Sequence, residues 1–141
     1  MLLGENRNMK NLYATLLSIT LCFLASPSWS EFLLFSDSGS FHGCLDCSRY
    51  DTNSICNKYG DYGSQYSSNS IWNKYGIGSE YDSNSPFNKY GQGLKIVDRS
   101  GNFYGYLSVG YSGNNQMRKV FKGLWDASGG DYGTMQDIFC N

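Results

Sequence analysis

Residues 47 to 91 state nearly one phrase three times, and this limits the chain to folds in which like units lie against like. The copies read Cys47-Ser-Arg-Tyr-Asp-Thr-Asn-Ser-Ile-Cys-Asn-Lys-Tyr-Gly60, Gly63-Ser-Gln-Tyr-Ser-Ser-Asn-Ser-Ile-Trp-Asn-Lys-Tyr-Gly76 and Gly78-Ser-Glu-Tyr-Asp-Ser-Asn-Ser-Pro-Phe-Asn-Lys-Tyr-Gly91. Their first tyrosines, Tyr50, Tyr66 and Tyr81, set a period of 16 residues and then 15. Each copy carries a serine (Ser54, Ser70, Ser85) six residues before a glycine (Gly60, Gly76, Gly91), and Pro86 follows the third serine. A capping hydroxyl, a proline at the first helical position and a closing glycine predict one helical turn per copy, over 54–59, 70–75 and 85–90. The Ser-(Arg/Gln/Glu)-Tyr-(Asp/Ser) stretch between turns reads as extended. A single turn does not hold its shape alone in water, so packing between copies must supply the stability.

The residues available for that packing are mostly aromatic. Between Tyr50 and Gly91 stand seven tyrosines, Trp72 and Phe87 against only three isoleucines. Cys56, Trp72 and Phe87 occupy equivalent positions and form the expected buried column, with Tyr59, Tyr75 and Tyr90 beside it, hydroxyls reaching water or backbone. With so few aliphatic residues, the tyrosines read first as core. The first copy departs from the others by placing Cys47 where Gly63 and Gly78 stand and Cys56 where Trp72 and Phe87 stand. A terminal unit lacks one neighbour, and a disulfide there would replace the missing contacts.

Ahead of the repeats, Lys10 is followed by an uncharged apolar segment that Pro27 interrupts before Ser28-Trp29-Ser30. Residues 1–30 therefore read as a signal peptide cleaved near Ser30, and Met9 as a natural start after a mis-assigned extension. Polar residues and Pro27 argue against a membrane anchor. Residues 31–141 remain as a single domain with no stable membrane span, placed in the periplasm or secreted. They carry 9 Lys and Arg against 11 Asp and Glu, which leaves no basic footprint for nucleic acid. Cys44, Cys47, Cys56 and Cys140 are an even set in an exported chain and predict two disulfides, in any of three pairings.

Beyond the repeats, 94–109 reads as a β-hairpin turning over Arg99-Ser100-Gly101-Asn102, with Gly105 at a bulge or close contact. Met117, Val120, Phe121, Leu124 and Trp125 line one face of a predicted helix over 115–127, capped by Asn114 or Asn115. Phe32–Phe35 is a short apolar run able to form a strand. The expected fold is α+β: a small disulfide-clamped domain of three stacked 15–16-residue Tyr-rich repeats, a hairpin and one C-terminal amphipathic helix.

Several chemistries can be weighed on these residues. Cys44-Leu-Asp-Cys47 has the spacing of a thiol–disulfide oxidoreductase, yet it lies in a loop rather than at a helix start after a strand. Cys44, Cys47 and Cys56 with His42 or Cys140 have zinc-ligand chemistry, but disulfides suit an exported chain better. His42 beside Cys44 lacks a third group to orient it as a base. Asp51 and Asn53, like Asp82 and Asn84, imitate a calcium-loop start without the later acidic ligand, and Asx turns explain them. No cofactor or metal is expected, and the chain reads as no enzyme. If exposed, Tyr62, Tyr66, Trp72 and Tyr81 are the candidate residues for stacking on a glycan or peptide.

Over residues 41–106 the chain resembles a group of short exported bacterial proteins of unknown function. The resemblance is carried by the Tyr-x-Ser-Asn-Ser-x-Trp-Asn-Lys-Tyr-Gly phrase, by Gly43-Cys44-Leu45-Asp46-Cys47 before it, and by Val97-Asp98-Arg99-Ser100-Gly101-Asn102-Phe103-Tyr104-Gly105-Tyr106 after it. It implies an extracytoplasmic repeat module with no catalytic residues to transfer. The expected role is a binding or structural one at the cell envelope, with cell-wall glycan or another exported protein as partner.

Overall fold

Four short apolar strands make a sheet that the repeats and two helices complete. In the computed structural model, residues 31–110 and 116–141 are described. The expected leader (1–30) and the expected helix caps Asn114 and Asn115 lie outside them. Strand β1 is Phe32–Phe35, β2 Phe41–Cys44, β3 Leu94–Asp98 and β4 Phe103–Leu107; helix α1 is Gln116–Ala127 and α2 Tyr132–Cys140. The sheet is antiparallel in the order β2-β1-β3-β4. Alternation along β3 buries Leu94, Ile96 and Asp98, while Leu34 is the buried residue of β1. The expected hairpin is therefore half of a larger sheet, since β1 supplies β3 with its other neighbour.

The hairpin turn is built by its first residue. The Gly101 amide donates to the Asp98 carbonyl and the Asp98 amide to the Asn102 carbonyl, with Gly101 at φ 85°. That is a three-residue loop ending in a left-handed residue, which glycine supplies without strain. The Asp98 carboxylate accepts from the amides of Ser100 and Asn102, the Asn102 side chain and the Tyr104 hydroxyl, each at 2.9 Å. The Asn102 bonds above all hold this carboxyl below its ordinary range.

The repeats contain no helical turn. Instead the chain bends at every third residue, through Ser48, Asp51, Ser54, Asn57 and Gly60, and again from Ser64 to Gly76 and from Ser79 to Gly91. At almost every corner the carbonyl accepts the amide three residues on. Where the corner is Ser, Asp or Asn, its side-chain oxygen also accepts the amide two residues on, at 2.8–3.3 Å. A side chain that takes this amide competes with helix formation, so consecutive turns replace both the predicted helical turn and the predicted extended stretch. Five corners of three residues make the 15-residue period. The 16-residue interval has one residue more between Gly60 and Ser64, and the Gly60 carbonyl there accepts from Ser64 as well as Gly63.

Two further features close each copy. The Asn57, Asn73 and Asn88 amides donate back across the coil to the carbonyls of Asp51, Ser67 and Asp82 at 3.0–3.1 Å. Gly60, Gly76 and Gly91, expected as left-handed helix ends, do not have positive φ. They are glycine because of close approach: a Cβ on Gly76 would stand 2.5 Å from the Ser68 carbonyl oxygen, and one on Gly91 2.7 Å from that of Ser83.

Two apolar residues follow the third corner of each copy and turn to opposite sides. Ile55, Ile71 and Pro86 are all buried. Ile55 lies so near β2 that a Cβ on Gly43 would be 2.7 Å from its methyl. The edge strands are also tied to the copies: the Ile55 amide donates to the Cys44 carbonyl at 3.0 Å, and the Val109 amide to Pro86 at 2.7 Å. These bonds join the end of β2, and the chain two residues past β4, to the first and third copies.

Trp72 and Phe87 are buried on the other side, with ring centroids 6.0 Å apart. Phe139 meets Trp72, and Phe121, Trp125 and Tyr132 meet Phe87. On α1 the predicted apolar face is only partly used. Phe121 is buried and Leu124 and Trp125 are half-buried, but Met117 and Val120 are exposed. Helix α2 was not expected. Asp131 caps it by accepting the Thr134 amide at 2.8 Å, and its Gln136 is fully buried. The disulfides join Cys44 to Cys47 and Cys56 to Cys140, and the second clamps the end of α2 to the first copy. Among the described residues the result is an α+β fold with two disulfides and two helices.

Candidate functional site

The corners recur at equivalent places in each copy, so the residues two after a given corner recur along the array. Tyr50, Tyr66 and Tyr81 follow the first corner of each copy, and Tyr59, Tyr75 and Tyr90 the fourth. All six are 83–101 % exposed. They are not core. The isoleucines, the proline and the Trp72/Phe87 column fill the interior, which leaves the tyrosine rings to solvent.

Each copy holds one open cleft between its two tyrosines. The clefts of the first and second copies measure about 380 Å³ and that of the third about 450 Å³. Equivalent residues line all three: the two tyrosines, the Asn and Lys before the second, and the edge of Cys56, Trp72 or Phe87. The C-terminal helices complete the walls while passing the copies in reverse order. Asp126 of α1 stands at the third cleft, Asp131 before α2 at the second, and Asp137 of α2 at the first.

Charge at each cleft is nearly balanced. Lys58 pairs with Asp137 at 2.5 Å, and Lys122 with Asp126 at 2.7 Å. Asp131 is held below the usual carboxyl range, first by its bonds to Thr134 and in smaller part by the Lys74 ammonium. Lys74 and Lys89 also lie 5.0 and 4.9 Å from the ring centroids of Tyr75 and Tyr90, where a cation is drawn to the ring face. Tyr132, which helps wall the second cleft, donates its hydroxyl to the Gly78 carbonyl at 2.6 Å. Burial, helped by Glu80, raises its pKa.

The expected ligand-binding residues take three different positions. Tyr66 and Tyr81 stand on cleft walls. Tyr62 lies in the longer link between copies, half-buried with its ring edge-on to Phe41 at 5.0 Å. Trp72 is 1 % exposed, its indole donates to the Ile55 carbonyl at 2.6 Å, and it offers the second cleft only an edge. Sequence reasoning did not select Tyr50, Tyr59, Tyr75, Tyr90 or Lys58, Lys74 and Lys89 for the site. The signal was the recurrence of a tyrosine two residues after the first and fourth corners of every copy, although Cys56, Trp72 and Phe87 also lie two residues after a corner.

Among the described residues the four cysteines form no shared site. Cys44 is buried at the end of β2, and its partner Cys47 lies in the following loop. Carboxylates surround the pair: Asp46 Oδ1 is 3.7 Å from the Cys44 sulfur, and the Glu31 carboxylate and both sulfurs lie within 4.8 Å of one another. Negative neighbours disfavour a thiolate, whereas redox sites stabilise one. Cys56 and Cys140 are bonded to each other, so the sulfurs do not make the four-ligand set of a zinc site. On β2, the Nδ1 of His42 is buried and finds no partner among the described residues. Burial lowers its pKa, against smaller opposing effects of Asp82 and the Asn69 backbone. Among the described residues no helix is long and apolar enough to cross a membrane.

Comparison with family models, with curated proteins and with solved structures returned no match.

Proposed function

We propose that the protein is an exported, non-enzymatic recognition module of the cell envelope that holds an extended ligand with one cleft per repeat. The observation that carries this reading is the threefold recurrence of the cleft, with its two exposed tyrosines, lysine and facing aspartate. Rings this exposed add little to the core, and clustered exposed aromatic surface marks an interaction site. The disulfides suit an oxidising compartment, in keeping with the leader read in residues 1–30 and with the resemblance to exported repeat proteins. Three equivalent sites on one rigid array favour a ligand that itself repeats. Simultaneous engagement makes each later contact intramolecular and can raise affinity by about 10²–10⁴.

Sedimentation with an insoluble bacterial envelope fraction tests the reading. The oxidised protein should co-sediment, and replacing the six exposed tyrosines by alanine should abolish retention while leaving the unfolding midpoint nearly unchanged. Equal retention of the six-alanine variant and the wild type would show that the clefts are not the binding surface.

A further inference from the structure

We infer that the polymer these clefts take is a neutral polysaccharide. This rests on the cleft reading above and adds the chemistry of the ligand.

Charge is the first argument. Both signs stand at each cleft: Lys58 paired with Asp137 near Arg49 at the first, Lys74 beside Asp131 at the second, and the Lys122–Asp126 pair with Lys89 and Glu80 at the third. A polyanion would meet a carboxylate at every step and a polycation an ammonium. Neither finds the one-signed surface that charged polymers require.

Hydrogen bonding is the second. A peptide that binds as an added strand needs free backbone groups. In the repeats, the amides two and three residues after each corner are largely taken up within the turns. The Asn57, Asn73 and Asn88 side chains are partly committed in the same way, each donating one N–H to a carbonyl and accepting one amide. Recognition therefore falls mainly to the tyrosine rings and hydroxyls, the lysine ammonium and the aspartate carboxylate, with the second asparagine N–H as a further donor. A sugar hydroxyl donates and accepts at once, so it can serve the carboxylate and the ammonium together. A proline-rich peptide would offer carbonyl acceptors to the lysine and few donors to the aspartate. The apolar face of a sugar ring also suits a flat tyrosine ring.

The test uses the full oxidised chain and the envelope fraction in two treated forms, one oxidised by periodate and washed, the other digested by protease. Periodate cleaves the vicinal diols of sugars. Retention should fall to the level of the six-alanine variant on the periodate-treated material. On untreated material it should persist from about 0.1 M to about 1 M NaCl, as the Debye length falls from about 10 Å to about 3 Å. Retention that survives periodate but is lost on the protease-treated material would assign the clefts to a protein, and retention lost with salt would assign them to a charged polymer. Either result overturns the neutral-glycan inference while leaving the cleft reading intact, provided the six-alanine variant still fails to bind. Absence of retention on any form defeats both.

Discussion

Replacing Trp72 by Phe and Gln136 by Leu together should cost more than the two separate losses combined. The Ile55 carbonyl is buried and accepts two side-chain donors, the Trp72 indole at 2.6 Å and the Gln136 amide at 3.3 Å. Gln136 also donates to the Gly63 carbonyl at 2.6 Å. Trp72→Phe alone leaves Ile55 served by Gln136. Gln136→Leu alone leaves Ile55 served by Trp72 but orphans the Gly63 carbonyl, at about 1–3 kcal/mol. Only the double variant strands the Ile55 oxygen. The packing cost of the smaller ring and the Gly63 loss cancel in a double-mutant cycle, so the coupling isolates that one carbonyl, at about 1–3 kcal/mol. Urea unfolding of the oxidised proteins reads it. With a slope of about 2 kcal/mol/M, a coupling of about 2 kcal/mol lowers the midpoint by about 1 M beyond additivity. Additivity to within about 0.5 kcal/mol would refute the claim that this carbonyl depends on side chains from two layers.

Two other perturbations follow from the same contacts. The Cys56–Cys140 bridge closes a separation of 84 residues and Cys44–Cys47 one of 3. Chain entropy then predicts losses of about 4.5 and about 2 kcal/mol for the respective double alanine variants, and urea melts that ranked the short bridge as the costlier would contradict that account. The carboxyl of Asp98 is held below its ordinary value of 3.8 by hydrogen bonds, so its contribution is fully present above that pH and is lost as pH falls through the lower, folded-state value. Asp98→Asn should therefore flatten the acid limb of a stability–pH profile measured down to about pH 2. A limb as steep as the wild type's would place the acid sensitivity elsewhere, with Asp61 and Asp131 next in line, since hydrogen bonds depress both.

Features that depend on neighbours in the chain were legible from residue order. The β3–β4 hairpin follows from two β-rich runs around Arg99-Ser100-Gly101-Asn102, and α1 begins and ends close to where its periodicity does. That Trp72 and Phe87 share one column follows from their equivalent places in a repeat. The same local logic also explains two misreadings. Ser54, Ser70 and Ser85 do accept amides as caps would, but Asn57, Asn73 and Asn88 take the next ones. Side-chain oxygens thus divert amides that a helix would have used, and the three-residue spacing of Ser, Asp and Asn was the overlooked sign. Helix α2 was missed because Gly133 and a mixed apolar pattern hide it. Its stability comes from an aspartate cap, the disulfide and contacts with Trp72 and Phe87 rather than from periodicity.

The triple phrase thus dictates the repeat, the period and the turn chemistry, because a hydrogen bond between residues two or three apart is specified by those residues alone. Which aromatic faces inward is a different matter. Tyr66 and Trp72 belong to the same copy, yet one is almost wholly exposed and the other buried. The side that is covered depends on where strands from both ends of the array and helices that begin 25 or more positions beyond it come to lie. The cysteine pairing is settled in the same way, since Cys56 meets Cys140 across 84 residues only once α2 has crossed the copies. Burial and cross-linking are properties of the assembled layers, and the clefts exist because those layers cover the Trp72/Phe87 column and leave six tyrosines in water.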